Sequence, residues 1–142
     1  MTDKWLIPVD DSENALRAVD YVIKASGNSA AKPEILLVNV QRPLSGDVST
    51  FVSGDVLQGF HREQGGKALA SARAKLDAAG VPYTHHILIG EPAVMICQFA
   101  KANACTQIVM GSRGLGSITG MLLGSVATKV AHLGEVALVL VK

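Results

Sequence analysis

The sequence predicts an α/β fold, with a five-stranded parallel sheet flanked by helices on both faces. Strand-like and helix-like segments alternate along the whole chain, which is the pattern of repeated βαβ units. The segment at residues 35–40 is apolar on both faces, as expected of a parallel strand that is covered on both sides. The length of 142 residues suffices for one core, so we expect a single domain over residues 1–142.

The predicted strands are short apolar runs bounded by turn residues. We place them at residues 5–9, 35–40, 83–89 and 107–110, with a last strand that begins at Val136 and ends at Val141. Ligands of such sheets bind beyond the carboxyl ends of the strands, where the strand order reverses. We therefore expect the functional site at those ends.

The predicted helices follow from the 3.6-residue apolar period and from their end signals. Asp11 or Ser12 is expected to cap the first helix. A long loop from Arg42 to about Gly59, whose role the sequence leaves open, is followed by a second helix from near His61 to Ala79. The third helix opens at Pro92, and the last spans residues 125–133.

Composition argues against several classes of function. The chain has 13 basic and 12 acidic residues, a net charge of +1, which gives no case for a nucleic-acid or membrane surface. No apolar run approaches the roughly 20 residues that span a bilayer, and no signal peptide is visible. Cys97 and Cys105 have no metal-ligand companions and are interpreted as core thiols. We therefore expect a cytoplasmic protein.

The run Met110-Gly111-Ser112-Arg113-Gly114 is the main functional signal. It follows a predicted strand, and Gly124-Ser125 opens the next helix. Glycines let backbone N–H groups approach an anion closely, and a helix N-terminus adds partial positive charge. Residues 92–134 contain no Asp or Glu. Burial alone explains this for the helix after Pro92, but less well for the polar stretch at residues 111–120, so we predict a phosphate site.

Other polar residues allow more than one interpretation. Asp10 either faces a ligand or serves the N-terminus of the first helix, where acids are favourable. Ser125 is a plain N-cap, a phosphate ligand, or both. His85 and His86 alternate along a strand and cannot jointly bind one metal. No metal-binding residue is therefore predicted.

The glycine spacing Gly111-x2-Gly114-x9-Gly124-Ser125 resembles that of the universal stress protein family. The likeness extends over the chain: it includes Ile7-Pro8-Val9-Asp10, Gly90-Glu91-Pro92, and Leu123 to Ala127. It implies a Rossmann-like fold of the adenine nucleotide alpha-hydrolase type. Members with this glycine pattern generally bind ATP, so the resemblance implies an ATP-binding stress-response protein.

The same resemblance implies where the nucleotide lies. The adenosine end would contact one group of residues, the ribose and phosphates a second, and the phosphate tail a third, although position 113 varies in the family. In that order they are Pro8, Val9, Asp10 and Val40; Met110 and Gly111; and Arg113, Gly114, Gly124, Ser125 and Val126.

Three hypotheses for the function remain open. The first is an ATP-binding regulatory protein, the second a slow Mg²⁺-dependent ATPase or phosphotransferase, and the third a dimeric scaffold without nucleotide. Phosphoryl transfer needs Mg²⁺, which is held largely by carboxylates, and a group that orients the nucleophile. Around the glycine run the sequence offers neither a carboxylate nor an obvious base, and Asp10 alone does not suffice. Binding is therefore favoured over catalysis, and no catalytic residue is assigned.

The last predicted strand, from Val136 to Val141, is apolar on both faces. If it lies at a sheet edge, its unpaired backbone needs a cover. The resemblance implies that it pairs with the same strand of a second copy in a homodimer, whereas a strand covered within one chain is the alternative.

Overall fold

Five parallel strands form one sheet in the computed structural model, which describes residues 2–44, 53–113 and 123–142. They are β1 (Lys4–Pro8), β2 (Glu34–Gln41), β3 (Tyr83–Ile89), β4 (Gln107–Gly111) and β5 (Ala137–Val141). Their order across the sheet is β3-β2-β1-β4-β5. The predicted fold class is thereby confirmed, and each strand lies within one residue of its predicted bounds.

Among the described residues, four helices connect the strands: α1 (Glu13–Gly27), α2 (Gly54–Ala78), α3 (Pro92–Ala102) and α4 (Ser125–Leu133). Ser12, and not Asp11, caps α1, because its hydroxyl accepts a 3.1 Å hydrogen bond from Ala15 N–H. Glu91 caps α3 in the same way, with Oε2 accepting from Val94 N–H at 2.9 Å. In the described part of the chain, no helix is both long and apolar enough to cross a membrane.

The prediction that α2 begins near His61 was wrong, because the helix starts at Gly54. The Ser53 hydroxyl accepts a 3.3 Å hydrogen bond from Val56 N–H, and Asp55 in the first turn interacts favourably with the helix dipole. Gly54 and Gly59 are poor helix formers and gave this stretch the composition of a loop. The predicted loop from Arg42 to Gly59 is therefore partly helical, and its residues 45–52 lie outside the described part of the chain.

The two faces of the sheet bury separate cores. One is formed with α1 and α2, where Ile7, Leu37 and Val109 are fully buried against residues such as Val19 and Leu69. The other is formed with α3 and α4 and includes Leu6, Val38, Ile108 and Val130. Alternation of side chains along the strands sends neighbouring residues to opposite cores. Both faces of the sheet are covered, as predicted.

At the carboxyl-terminal end of the sheet, β1 and β4 are not paired. The two strands pair only through Trp5 with Gln107 and Leu6 with Ile108, whereas β1 pairs with β2 over its full length. Beyond Leu6, β1 continues to Pro8 beside β2 without pairing with β4, while β4 continues to Gly111. A crevice therefore opens where the connections of β1 and β4 leave in opposite directions, the usual ligand position in such sheets.

Candidate functional site

A cavity of about 260 Å³ lies in this crevice, close to the lower end of small-molecule pockets at roughly 300 Å³. The structure brings ten of the eleven sequence-predicted site residues into its lining. They are Pro8, Val9, Asp10, Val40, Met110, Gly111, Arg113, Gly124, Ser125 and Val126. Gly114, the eleventh, lies outside the described residues.

The turn after β1 positions the Asp10 carboxylate at the cavity. Its Oδ1 accepts a 3.2 Å hydrogen bond from Ser12 N–H. Asp11 between them has a φ of 67°, a left-handed conformation that Asp tolerates better than most residues. Val9 N–H donates to Val38 O at 2.8 Å and holds the turn against β2. Asp10 therefore both braces the entry to α1 and lines the cavity.

Asn39 fixes the relative position of β1 and β2 at the cavity, and sequence reasoning missed it. The side chain is 3% exposed, and its Nδ2 donates to Val9 O at 2.8 Å. Its Oδ1 accepts a 2.6 Å hydrogen bond from Gln41 Nε2. A single polar residue inside an apolar strand was the available signal, since a buried amide must find partners.

The main chain of Val40 borders the cavity for a reason set by the sheet. Gly90 N–H donates to Gln41 O at 2.9 Å, so the main chain of Gln41 faces β3. Successive residues of a strand direct their main-chain groups to opposite neighbours. The N–H and C=O of Val40 therefore face the β1 side, beyond the point where β1 has ended at Pro8.

Gly111 closes the wall formed by β4 and is required by packing. A Cβ atom at this position would lie 2.7 Å from the backbone carbon of Asn14 and 2.8 Å from its carbonyl oxygen. The sequence suggested that this glycine serves close approach of an anion. The structure gives another reason, namely that α1 crosses the end of β4 too closely for any side chain.

The N-terminus of α4 opens into the cavity. Its N-cap is Gly124, which has no side chain to accept a hydrogen bond, whereas Ser12, Ser53 and Glu91 cap α1, α2 and α3 through their side chains. Gly124 N–H itself donates to Ser112 O at 2.6 Å. The first-turn residues Ser125, Val126 and Ala127 line the cavity, and their amides have no partner within the helix.

The charged side chains at the described lining are two arginines and one carboxylate: Arg42, Arg113 and Asp10. Arg42 was not predicted, although it follows the carboxyl end of β2. No group of three or more potential metal ligands occurs among the described residues. The electrostatic balance, together with the helix N-terminus, favours an anionic ligand.

The groups whose pKa values are shifted in the described structure lie outside the cavity lining. The backbone N–H of Val94 lowers the pKa of Glu91, and the Lys129 ammonium at 3.6 Å acts in the same direction, whereas burial opposes both. Burial raises the pKa values of Cys97 and Cys105, which are both free thiols. The Glu91–Lys129 pair joins the N-cap of α3 to the middle of α4. Residues from the first turns of both helices line the cavity.

Comparison with known proteins shows which protein family this sequence resembles. The model of the universal stress protein family matches residues 1–142. Universal stress protein YxiE of Bacillus subtilis is 28% identical, with 100% of both chains covered. Universal stress protein MJ0531 of Methanocaldococcus jannaschii is 30% identical over 98% of this chain and 81% of its own length.

Solved structures with the same fold were also found. The hypothetical protein MJ0577 superposes with a TM-score of 0.84 at 26% identity, covering 100% of this chain and 96% of that one. A universal stress protein in complex with cAMP has a TM-score of 0.71 at 24% identity, covering 99% and 97% of the two chains. One from Arabidopsis thaliana with AMP bound has a TM-score of 0.67 at 22% identity, covering 99% and 91%.

Proposed function

The chain belongs to the universal stress protein family, and we propose that it is an ATP-binding regulatory protein of the stress response. One observation carries the proposal: the N-terminus of α4, which has no side-chain cap at Gly124, opens into the cavity between β1 and β4. Such a terminus binds phosphate well, because its free amides and the helix dipole both favour negative charge.

The phosphate end of the nucleotide is assigned to α4 and to the residues that follow β4. Ser125 offers its hydroxyl and its N–H, and Val126 offers its N–H. Arg113 is half-buried beside them and supplies a charge-assisted donor. Gly124 acts through shape alone, since its N–H is already bonded to Ser112 O. Gly114, as the family resemblance implies, completes this end of the site.

The adenosine end is assigned to β1 and β2. The main-chain N–H and C=O of Val40 match the acceptor N1 and the donor amino group on one edge of adenine. Asp10 accepts hydrogen bonds from ribose hydroxyls, because a carboxylate would repel bare phosphate. Mg²⁺ accompanies the triphosphate, and Asp10 is the one carboxylate in the described lining that would lie near it.

Two lines of support separate this proposal from its alternatives. Family members of the same fold have been solved with cAMP and with AMP, which favours an occupied site over an empty scaffold. The described lining offers one carboxylate and no His to orient a nucleophile. We therefore favour binding with negligible or very slow hydrolysis over phosphoryl transfer.

The test is a pair of substitutions at Ser125. Ser125→Asp places a negative charge at the first position of α4, where it stabilises the helix but repels phosphate. Ser125→Asn is the uncharged control of similar size. We expect calorimetric titration with ATP and Mg²⁺ to show at least a roughly tenfold weaker affinity for Ser125→Asp, with little change for Ser125→Asn. Unchanged ATP binding by Ser125→Asp would show that the phosphates do not bind at the N-terminus of α4.

Nucleotide extracted from the purified protein and identified by mass spectrometry is the companion measurement. We expect ATP to be recovered from the wild type and to be depleted in Ser125→Asp. Recovery of AMP alone would restrict the function to monophosphate sensing. A wild-type protein that carries no nucleotide and is not stabilised thermally by millimolar ATP would instead favour the scaffold hypothesis.

We also propose that the protein is a homodimer through its C-terminal strand. β5 is at one edge of the sheet, and its residues Leu138 to Val141 are only half-buried. Ser112 N–H donates to Val141 O at 2.8 Å, so the main chain of Val141 faces β4. By alternation the N–H groups of Leu138 and Leu140 face the free edge, where a second β5 would pair.

A cytoplasmic location completes the proposal. Both cysteines are free thiols and Cys105 is buried, which suits a reducing compartment.

A further inference from the structure

We propose that Arg42 is a base-contacting residue of this site, whose guanidinium plane covers the face of the adenine. The inference rests on the proposed nucleotide function and adds a specificity-determining residue to it. Arg42 lines the cavity from the end of β2, on the opposite side from Arg113. The two arginines therefore serve different parts of the ligand.

The position of Arg42 follows from the geometry of β2. Val38 and Val40 point to the core formed with α3 and α4, and both pack in the cluster that contains Ile96. Arg42 is two residues beyond Val40, so alternation along the strand places it on the same face as Val40, and it lines the cavity together with Pro92 and Ile96. It is thus next to the main-chain edge that the proposed function assigns to the base.

The distance across the sheet separates Arg42 from the phosphate end. β1 lies between β2 and β4, and neighbouring strands are roughly 4.8 Å apart, so the ends of β2 and β4 are about 10 Å apart. The α4 terminus and Arg113 lie on the β4 side. A ligand with its phosphates there brings its base, and not its anionic groups, to Arg42.

The chemistry of the lining leaves the base face without an aromatic partner. None of the described lining residues is Phe, Tyr or Trp. Arg42 is exposed, and no hydrogen bond or ion pair found among the described residues involves it. A guanidinium is planar, weakly hydrated and stacks well on a π face, so an arginine without a carboxylate partner suits this role.

A ligand-truncation series separates a base contact from a phosphate contact. The affinities of adenosine, AMP and ATP are measured by calorimetry, with the weak ligands measured by displacement of ATP. The proteins are wild type, Arg42→Ala, Arg42→Lys and Arg113→Ala. We expect Arg42→Ala to weaken all three ligands by the same factor, roughly three- to tenfold. Arg113→Ala is expected to spare adenosine and to weaken ATP most.

Arg42→Lys keeps the charge and loses the plane, so it is expected to recover only a minor part of the affinity. A loss in Arg42→Ala that is confined to ATP and restored by Arg42→Lys would assign Arg42 to phosphate and overturn the proposal. No loss for any ligand would overturn it as well. If the wild type binds none of the three ligands, the proposed nucleotide function itself fails, which is a distinct result.

Discussion

The carbonyl oxygen of Ser112 accepts a 2.6 Å hydrogen bond from the N–H of Gly124. This bond pins together the two ends of the glycine-containing segment, one just after β4 and the other at the start of α4. Ser112 N–H in turn donates to Val141 O at 2.8 Å, which ties the same residue to the edge strand β5. The phosphate-facing donors of α4 thus begin at Ser125, one residue later than a simple reading of the glycine spacing suggests.

Substitution of Gly111 by alanine is expected to destabilise the protein. The added Cβ would meet the backbone of Asn14 at 2.7 Å, and neither α1 nor β4 can retreat without disturbing a core. We expect a loss of about 1–3 kcal/mol in the free energy of unfolding, measured by urea denaturation.

Gly66→Ala is the matched control, because a Cβ there meets nothing within 4 Å. Gly66 lies inside α2, where alanine is expected to stabilise by about 0.5–1 kcal/mol. Equal stability changes in the two variants would contradict the packing role of Gly111.

Replacement of Asn39 by alanine is expected to loosen the β1–β2 side of the cavity. Val9 O and the Gln41 amide would each lose a partner, and the first of these bonds is buried. We expect a loss of about 1–3 kcal/mol by thermal or urea denaturation.

Gln41→Ala removes only the second of these hydrogen bonds and should be clearly milder. Asn39→Asp keeps the shape but turns an acceptor towards Val9 O, so it should be at least as harmful as alanine at neutral pH. If Asn39→Asp proved as stable as wild type, the hydrogen bond to Val9 O would not be the reason for the residue.

Glu91→Gln is expected to lower the free energy of unfolding at neutral pH, where Glu91 is ionised, but not at a pH low enough to protonate Glu91. The pKa of Glu91 is lowered in the folded state, first by Val94 N–H and also by Lys129. The carboxylate therefore contributes stability that is present above its unfolded pKa of about 4.3 and is lost as the pH falls through the folded value.

We expect a difference between wild type and Glu91→Gln of about 0.5 kcal/mol at pH 7, since the Glu91 side chain is 37% exposed and its ion pair is screened. The difference in unfolding free energy should vanish once the pH has fallen below the lowered pKa of Glu91 in the folded state. Lys129→Met is the companion variant, which should remove part of this pH dependence. A difference that is constant from pH 3 to pH 7 would show that the charge is irrelevant.

The proposed dimer is tested at Leu140. Leu140→Pro removes an N–H that faces the free edge and leaves the ladder to β4 in place, so light scattering should show a monomer. Leu140→Ala makes a comparable loss of packing but keeps the N–H, and it should stay dimeric. A monomeric wild type, or a dimer in Leu140→Pro, would contradict pairing through β5.

The parts that the sequence predicted well are those with strong local signals. β3 and α4 have their predicted bounds, because Pro82 and Gly90 flank the first and Gly124 and Gly134 flank the second. The start of α2 was missed since its caps lie among glycines. Asn39 was missed because its hydrogen-bond partner Val9 is distant in sequence, and Arg42 because its place in the cavity lining depends on the order of the strands in the sheet.

The cavity lining combines residues from distant parts of the chain, with Pro8, Val9, Asp10 and Ala15 from its first part and residues 124–127 from its last part. A nascent polypeptide therefore has no complete pocket until α4 has left the ribosome and joined the sheet. Ligand binding then couples the first and last thirds of the sequence, so that local opening of either one releases the nucleotide. Amide hydrogen exchange at β1 and at α4 should slow together when the ligand is added.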